Sequence, residues 1–222
     1  NKKIIPFHSI LLSRINDKSK YKYNDKIYFC QHLYPHFFNH IDGSPILFKD
    51  KIFYTEICNK VYKELNSKIK SCFNVRYLHD FVYEYRPYHS FFLNSKIKKD
   101  PAIKNFHSII KESKLIIHDQ DSTSFLETLS ANIPTCLILK KDYIKYKRTE
   151  IKKFYSALEK QNIIFTDTLK LANFINLNYH TIDKWWSLNK TQNAKDKFCK
   201  NFANKSKNSL RELSNLLKKY ST

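Results

Sequence analysis

The chain of 222 residues contains one glycine and no methionine. The single glycine, Gly43, falls in a D-G-S-P turn signal. That scarcity excludes a glycine-rich phosphate cradle: there is no G-x-G-x-x-G and no Walker loop. The absent methionine, missing even at position 1, suggests a fragment or a processed piece of a longer protein. No apolar run reaches the ~18 residues of a membrane-spanning helix, and no signal peptide is visible, although a missing amino terminus would hide one. No G-x-S-x-G and no Cys–His signature points to a hydrolase. The five cysteines, Cys30, Cys58, Cys72, Cys136 and Cys199, are scattered and form no C-x-x-C pair. They read as reduced, mostly packed thiols of a cytoplasmic protein rather than as a disulfide framework.

Acidic residues are half as many as basic ones, 20 against 40, for a formal charge of +20. Such a charge suits a polyanion, either nucleic acid or anionic lipid. It also fits the Lys-, Asn- and Ile-rich bias of an AT-rich genome, because the lysines are spread along the chain. Interspersed acids and the absence of RNA-binding signatures disfavour nucleic acid.

The organising stretch is Lys114 to Lys140, read as strand, polar loop, helix and strand. Leu115, Ile116 and Ile117 form a short apolar run, as in a strand buried on both faces. HDQDSTS is a loop of turn formers. Ser124 can cap a helix and Glu127, three residues on, can close a capping box. Phe125, Leu126, Leu129 and Ile133 give that helix its apolar face, Pro134 stops it, and Thr135 to Leu139 is a second strand. The polar loop lies at the carboxyl end of the first strand, where open parallel sheets bind ligands.

Elsewhere the patterns predict a strand over 26–32, an amphipathic helix over 50–69 and a strand over 81–88 (FVYEYRPY) running into Pro87. Helices follow over 101–113, with Pro101 at its start, 143–161 and 169–177, with a short strand at 163–165 between the last two. A long helix-like stretch containing Trp185 and Trp186 spans 181–202, and a final helix follows. Strands alternating with helices define an α/β fold with a Rossmann-like parallel sheet flanked by helices and a helical tail. The expected organisation is 1–25 as an interdomain linker, 26–180 as the Rossmann-like domain and 181–222 as a helical segment.

Several residues could carry chemistry. Ser122, Thr123 and Ser124 could hold a phosphate at a helix amino terminus, or be an ordinary cap. Glu127 could bond back to the cap amide or hold a ribose diol. Arg86, at a strand end beside Pro87, could face the same edge or be a surface arginine, and Arg76 is more ambiguous still. Cys30, His32, His36 and His40 have a spacing at which zinc is thinkable, but Pro35 argues against a regular helix and no metal site is expected. Trp185 and Trp186 read as packing anchors.

Together these elements resemble a known family. DSTSFLETLSANIPTCLIL resembles the hydroxyl-rich loop, helix-borne Glu and following Pro of GT-B glycosyltransferase carboxyl-terminal domains. More narrowly, KDKIFYTEICNKVYKEL, YEYRPYH, the E-x-L-x-x-x-I-P core and DKWWSLNKTQNAKDKFCKNFA resemble a bacterial family of transferases linked to surface-polysaccharide synthesis. The resemblance covers roughly residues 26–203. It implies the carboxyl-terminal half of a GT-B fold, gripping a nucleotide-sugar donor without a metal or other cofactor. Ser122, Thr123 and Ser124 would face the donor phosphate, Glu127 would hold the ribose, and Arg86 would offset diphosphate charge. A glycan or lipid-linked acceptor, a missing amino-terminal domain carrying the catalytic base, and a cytoplasmic location with peripheral contact at the inner membrane face are the further implications. Two departures stand out. Asp121 and Ser122 replace glycines usual in such loops, and two acids, Asp119 and Asp121, lie next to the phosphate position. The rival expectations are a basic nucleic-acid-binding module and an inactive scaffold of polysaccharide assembly.

Overall fold

The computed structural model describes residues 7–14, 24–31, 48–77, 94–100 and 105–220. Its six strands are β1 Lys26–Gln31, β2 Phe73–Tyr77, β3 Lys98–Asp100, β4 Ser113–His118, β5 Thr135–Ile138 and β6 Ile164–Phe165. All pair in parallel, in the order β3-β2-β1-β4-β5-β6. This is the doubly wound order of dinucleotide-binding folds, and it reverses direction between β1 and β4. The α/β class and helical carboxyl-terminal region read from the sequence are therefore the observed ones.

Side-chain alternation explains the two layers of helices. Ile27 and Phe29 of β1 and Leu115 and Ile117 of β4 join the core under helix α2, Phe48–Glu64, with Ile57, Val61 and Leu65 of the chain running out of it. On the opposite face, Ile116 meets Ile110, Ala131, Ile133 and Leu12. Leu12 belongs to a short helix, α1 Ile10–Ser13, that is fastened to the tail: Ser9 N–H donates to Asn204 O (3.0 Å) and Ser206 N–H donates to Ser13 Oγ (3.0 Å).

Several expected elements take different bounds. The 50–69 pattern is α2 followed by a separate turn of helix, α3 Ser67–Lys70. The strand expected at 81–88 lies outside the described residues. The strand that pairs with β1 is FNVRY at 73–77, whose Phe73 and Val75 are buried while Asn74 and Arg76 alternate with them. The next helix, α4 Phe106–Glu112, starts after Asn105, whose side chain accepts from His107 N–H, so Pro101 does not open it. The helix after β4, α5, runs from Thr123 to Ser130 with Ser122 as its cap residue. Ser124 is thus the second helical residue and Glu127 the fifth, which rules out a capping box between them. The single helix expected at 143–161 is two, α6 Lys141–Lys145 and α7 Thr149–Lys160. After α8 Thr168–Asn178, the 181–202 stretch divides into α9 Ile182–Trp186 and α10 Asn189–Phe202, broken where Leu188 is extended. The last helix, α11, is Ser209–Tyr220.

Asparagine does the work of the missing glycines at two helix ends. Asn132 (φ 57°) and Asn162 (φ 59°) are left-handed. At each, the next amide reaches back to close a Schellman motif: Ile133 N–H to Thr128 O (3.1 Å) and Ile163 N–H to Leu158 O (3.0 Å). So α5 ends at Ser130 and is closed off by the left-handed Asn132, before the expected stop at Pro134. The tryptophan pair seals both ends. Trp185 Nε1–H donates to Gln161 O (3.0 Å), and Trp186 Nε1–H donates to Asn132 O (3.1 Å) and Oδ1 (3.0 Å). Both rings are buried, as packing anchors should be. Lys195 Nζ also donates to Asn132 Oδ1 (2.9 Å). Asn162→Gly is expected to leave stability within about 0.5 kcal/mol, because glycine suits this φ. Asn132→Gly is expected to cost about 1–2 kcal/mol through the stranded indole and ammonium. Urea unfolding of both variants checks the difference.

Candidate functional site

The carboxyl ends of β1, β2 and β4 open into a cleft of about 350 Å³, at the point where the strand order reverses. It is lined by Cys30 and Gln31 from β1, Arg76 from β2, Phe106 from α4, His118, Asp119 and Gln120 at the end of β4, and Ser122, Thr123, Ser124 and Glu127 from α5. Four of the five donor-binding candidates are therefore brought together, while Arg86 lies outside the described residues. The first intrahelical bond of α5 is Leu126 N–H to Ser122 O (3.2 Å), so the amides of Thr123, Ser124 and Phe125 precede the helical ladder. Such amides, with the positive end of the helix dipole, suit an anion.

The hydroxyls of this turn form a chain into the interior. Ser122 Oγ lies 3.0 Å from Ser124 Oγ, which lies 3.4 Å from His118 Nδ1. His118 Nε2 lies 3.1 Å from Thr128 Oγ1, and Thr128 spends its one hydroxyl proton on Phe125 O (2.9 Å). The Thr128 oxygen must then accept from His118 Nε2–H, which leaves Nδ1 as an acceptor facing Ser124. His118 is 1% exposed, and burial pushes its pKa down to about 3. The imidazole is neutral and sets the direction of the serine hydroxyls.

Asp121 is the anchor of the loop. Its carboxylate accepts from Tyr143 Oη (2.8 Å), Lys147 Nζ (2.7 Å) and Tyr155 Oη (2.5 Å). Burial first, and then Asp121, push both tyrosine pKa values well above the ordinary phenol range. Lys147 thereby offsets the charge of one of the two acids that stand beside the α5 terminus. The broken α6–α7 segment brings all three partners to one carboxylate, and helical periodicity alone does not announce such a contact. Glu127 stays in the cleft, half-buried; burial raises its carboxyl above the ordinary value and His107 opposes the shift.

Arg76 is the cleft cation that sequence reasoning left ambiguous. Its Nη1 lies 3.9 Å from Asp100 Oδ1, and its guanidinium lies over the Phe106 ring at 5.8 Å. The signal that could have found it was the F-x-V-x-Y alternation of β2. Cys30 is no candidate nucleophile, since burial pushes its thiol up to about 12. No cluster of metal-ligating residues occurs among the described residues, and His32, His36 and His40 lie outside them. A second cavity of about 320 Å³ sits beneath α5. Two of its lysines serve the end of that helix, Lys195 on Asn132 and Lys205 Nζ on Ser130 O (2.6 Å).

The chain is a doubly wound α/β protein with an anion-suited helix terminus at the switch point of its sheet, where open sheets of this class hold their ligands. The chain belongs to the LIC12162 family of transferases, whose model matches residues 1–217. No curated protein matches it. Among solved structures it is similar to the wall teichoic acid polymerase TagF and to a variant of that enzyme, at 15% and 14% identity and a TM-score of 0.44 for each. Both matches cover 87% of this chain and 43% of the other, so the chain spans less than half the length of these structures.

Proposed function

We propose that this chain is the donor-binding half of a glycosyltransferase that moves a sugar from a nucleotide donor to a cell-surface glycan. Membership of a transferase family supports the reaction class. The carrying observation is that Ser122, Thr123, Ser124 and Glu127 share one cleft at the switch point of the sheet. In this reading the first turn of α5 and its hydroxyls receive the donor phosphate, and the dipole stabilises the leaving group without a metal. Glu127 hydrogen-bonds the ribose diol. Arg86 and the amino-terminal acceptor domain, with its catalytic base, complete the site, and residues 1–25 link the two domains. The acceptor is a glycan or lipid-linked glycan, met from the cytoplasmic side at the membrane surface. Among the described residues no helix is long and apolar enough to cross a membrane.

Calorimetric titration with CMP, UDP, GDP and dTDP tests the proposal. Saturable binding of one nucleotide supports it. Because Glu127 lies beyond capping position, Glu127→Ala is expected to weaken that nucleotide about 10-fold while changing stability by less than about 1 kcal/mol. No binding of the four by this chain and then none by the full-length protein would favour an inactive scaffold, binding by the full-length protein alone would show that the amino-terminal domain closes the site, and salt-sensitive binding to any DNA or RNA strand would favour the basic module.

A further inference from the structure

Two carboxamides stand at the switch point with polar atoms that nothing satisfies. Gln31, the last residue of β1, is 6% exposed, and neither its Oε1 nor its Nε2 has a hydrogen-bond partner among the described residues. Gln120, two residues beyond β4, has an Oε1 in the same condition. Both line the cleft. Cys30 is in register with His118, so Gln31 adjoins the loop that carries Asp119 and Gln120.

Packing does not explain Gln31. Ile27 and Phe29 precede it on the same face of β1 and belong to the core, so the period of two calls for an apolar residue at position 31. Native proteins satisfy the large majority of buried side-chain polar atoms, so an exception that lines a cavity calls for a partner from within that cavity. A carboxamide carries a donor and an acceptor side by side and no charge. The buried Asp119 next to it disfavours an anion, and the phosphate already has its place at α5.

We infer that Gln31 is a specificity contact of the donor site, its amide reading a neutral ligand group that presents a hydrogen-bond donor and acceptor together. The inference rests on the nucleotide-sugar reading above. Two parts of such a donor carry this chemistry: the edge of the nucleobase and the hydroxyls of the transferred sugar.

Gln31→Met keeps the volume and removes both polar atoms, and Gln31→Leu serves as a second variant. Without ligand, each is expected to melt at or above the wild-type temperature, because a core methylene replaces an unsatisfied amide. Binding is expected to move the other way, with Kd raised at least about 10-fold. Calorimetry with CMP, UDP, GDP and dTDP, and with CMP-sialic acid, UDP-glucose, GDP-mannose and dTDP-glucose, separates the two sources. Loss with the free nucleotide assigns Gln31 to the base; loss with the conjugate alone assigns it to the sugar. Unchanged Kd for both overturns the inference, as does a large fall in melting temperature in both variants, which would make Gln31 structural. Ser122→Ala is the control. If it weakens binding of the nucleotide and of its sugar conjugate while Gln31→Met weakens neither, only this inference fails. If no probe binds either the wild-type chain or the full-length protein, the donor reading falls and the inference with it.

Discussion

Replacing Asp121 with asparagine is expected to destabilise the chain by about 3 kcal/mol, because it breaks one member of a largely buried charged network. The Asp121 side chain is 9% exposed and that of Lys147 is 20% exposed. Asparagine can accept at one oxygen only, so either Tyr143 or the pair Tyr155 and Lys147 loses its acceptor, and in both orientations Lys147 loses its opposing charge. Lys147 is also held over the rings of Tyr143 (4.3 Å) and Tyr155 (4.9 Å), which keep its ammonium at this partly buried place. Urea unfolding should show a lower midpoint with an unchanged slope. Adding Lys147→Met to the asparagine variant should recover part of the loss, since the uncompensated cation is then gone. A cost under about 1 kcal/mol for Asp121→Asn would show that the network is solvated and that the loop is held by other contacts. Nucleotide binding should weaken in the same variant, because Asp121 immediately precedes the cap residue Ser122 and fixes where the hydroxyl turn begins.

The sequence carried the sheet's centre clearly and its margins poorly. β4 and β5 announce themselves as short apolar runs, because a central parallel strand is buried on both faces. β3 is Lys-Lys-Asp on an edge, and only Ile97 before it is buried; nothing in its composition distinguishes it from a loop. β2 was hidden by Asn74 and Arg76, which interrupt the apolar run because one of them serves the cleft. Helix existence was legible and helix ends were not. Asn132 and Asn162 end their helices through backbone geometry, and an asparagine in a chain rich in asparagine gives no signal of that kind. The same holds for the site. The serine–threonine turn and Glu127 could be named because a helix start after a strand is a local pattern. The roles of Arg76, Gln31, His118 and Asp121 depend on which strands are neighbours and on what is buried. Glu127 shows the difference well. Its sequence spacing offered a capping box, and a helix that begins one residue after Ser122 removes that alternative and leaves the carboxylate to the cleft.

Acid is expected to destabilise the fold through His118 more than through any other single imidazole among the described residues. The folded pKa is about 3 and the ordinary value 6.5. Between these values the unfolded chain holds the extra proton. The stability contributed by the neutral imidazole is therefore complete above about pH 6.5, falls as the pH drops, and is gone near pH 3. The shift corresponds to a contribution on the order of 5 kcal/mol. Phe106 and Phe125 pack nearly perpendicular to the ring, at 6.4 and 5.8 Å between centroids, and their apolar bulk keeps it out of water. His118→Gln, which can still donate to Thr128, should be less stable at pH 7 but show a flatter acid limb in stability measured from pH 7 to pH 4. An acid limb as steep as wild type would show that His118 is reached by water and titrates near its ordinary value. Because the folded imidazole stays neutral until about pH 3, the hydroxyl chain keeps its direction in folded molecules across that range. Donor binding by the surviving folded molecules should therefore decline less steeply with acid than stability does, and a paired measurement of Kd and unfolding free energy across that range would separate the two effects.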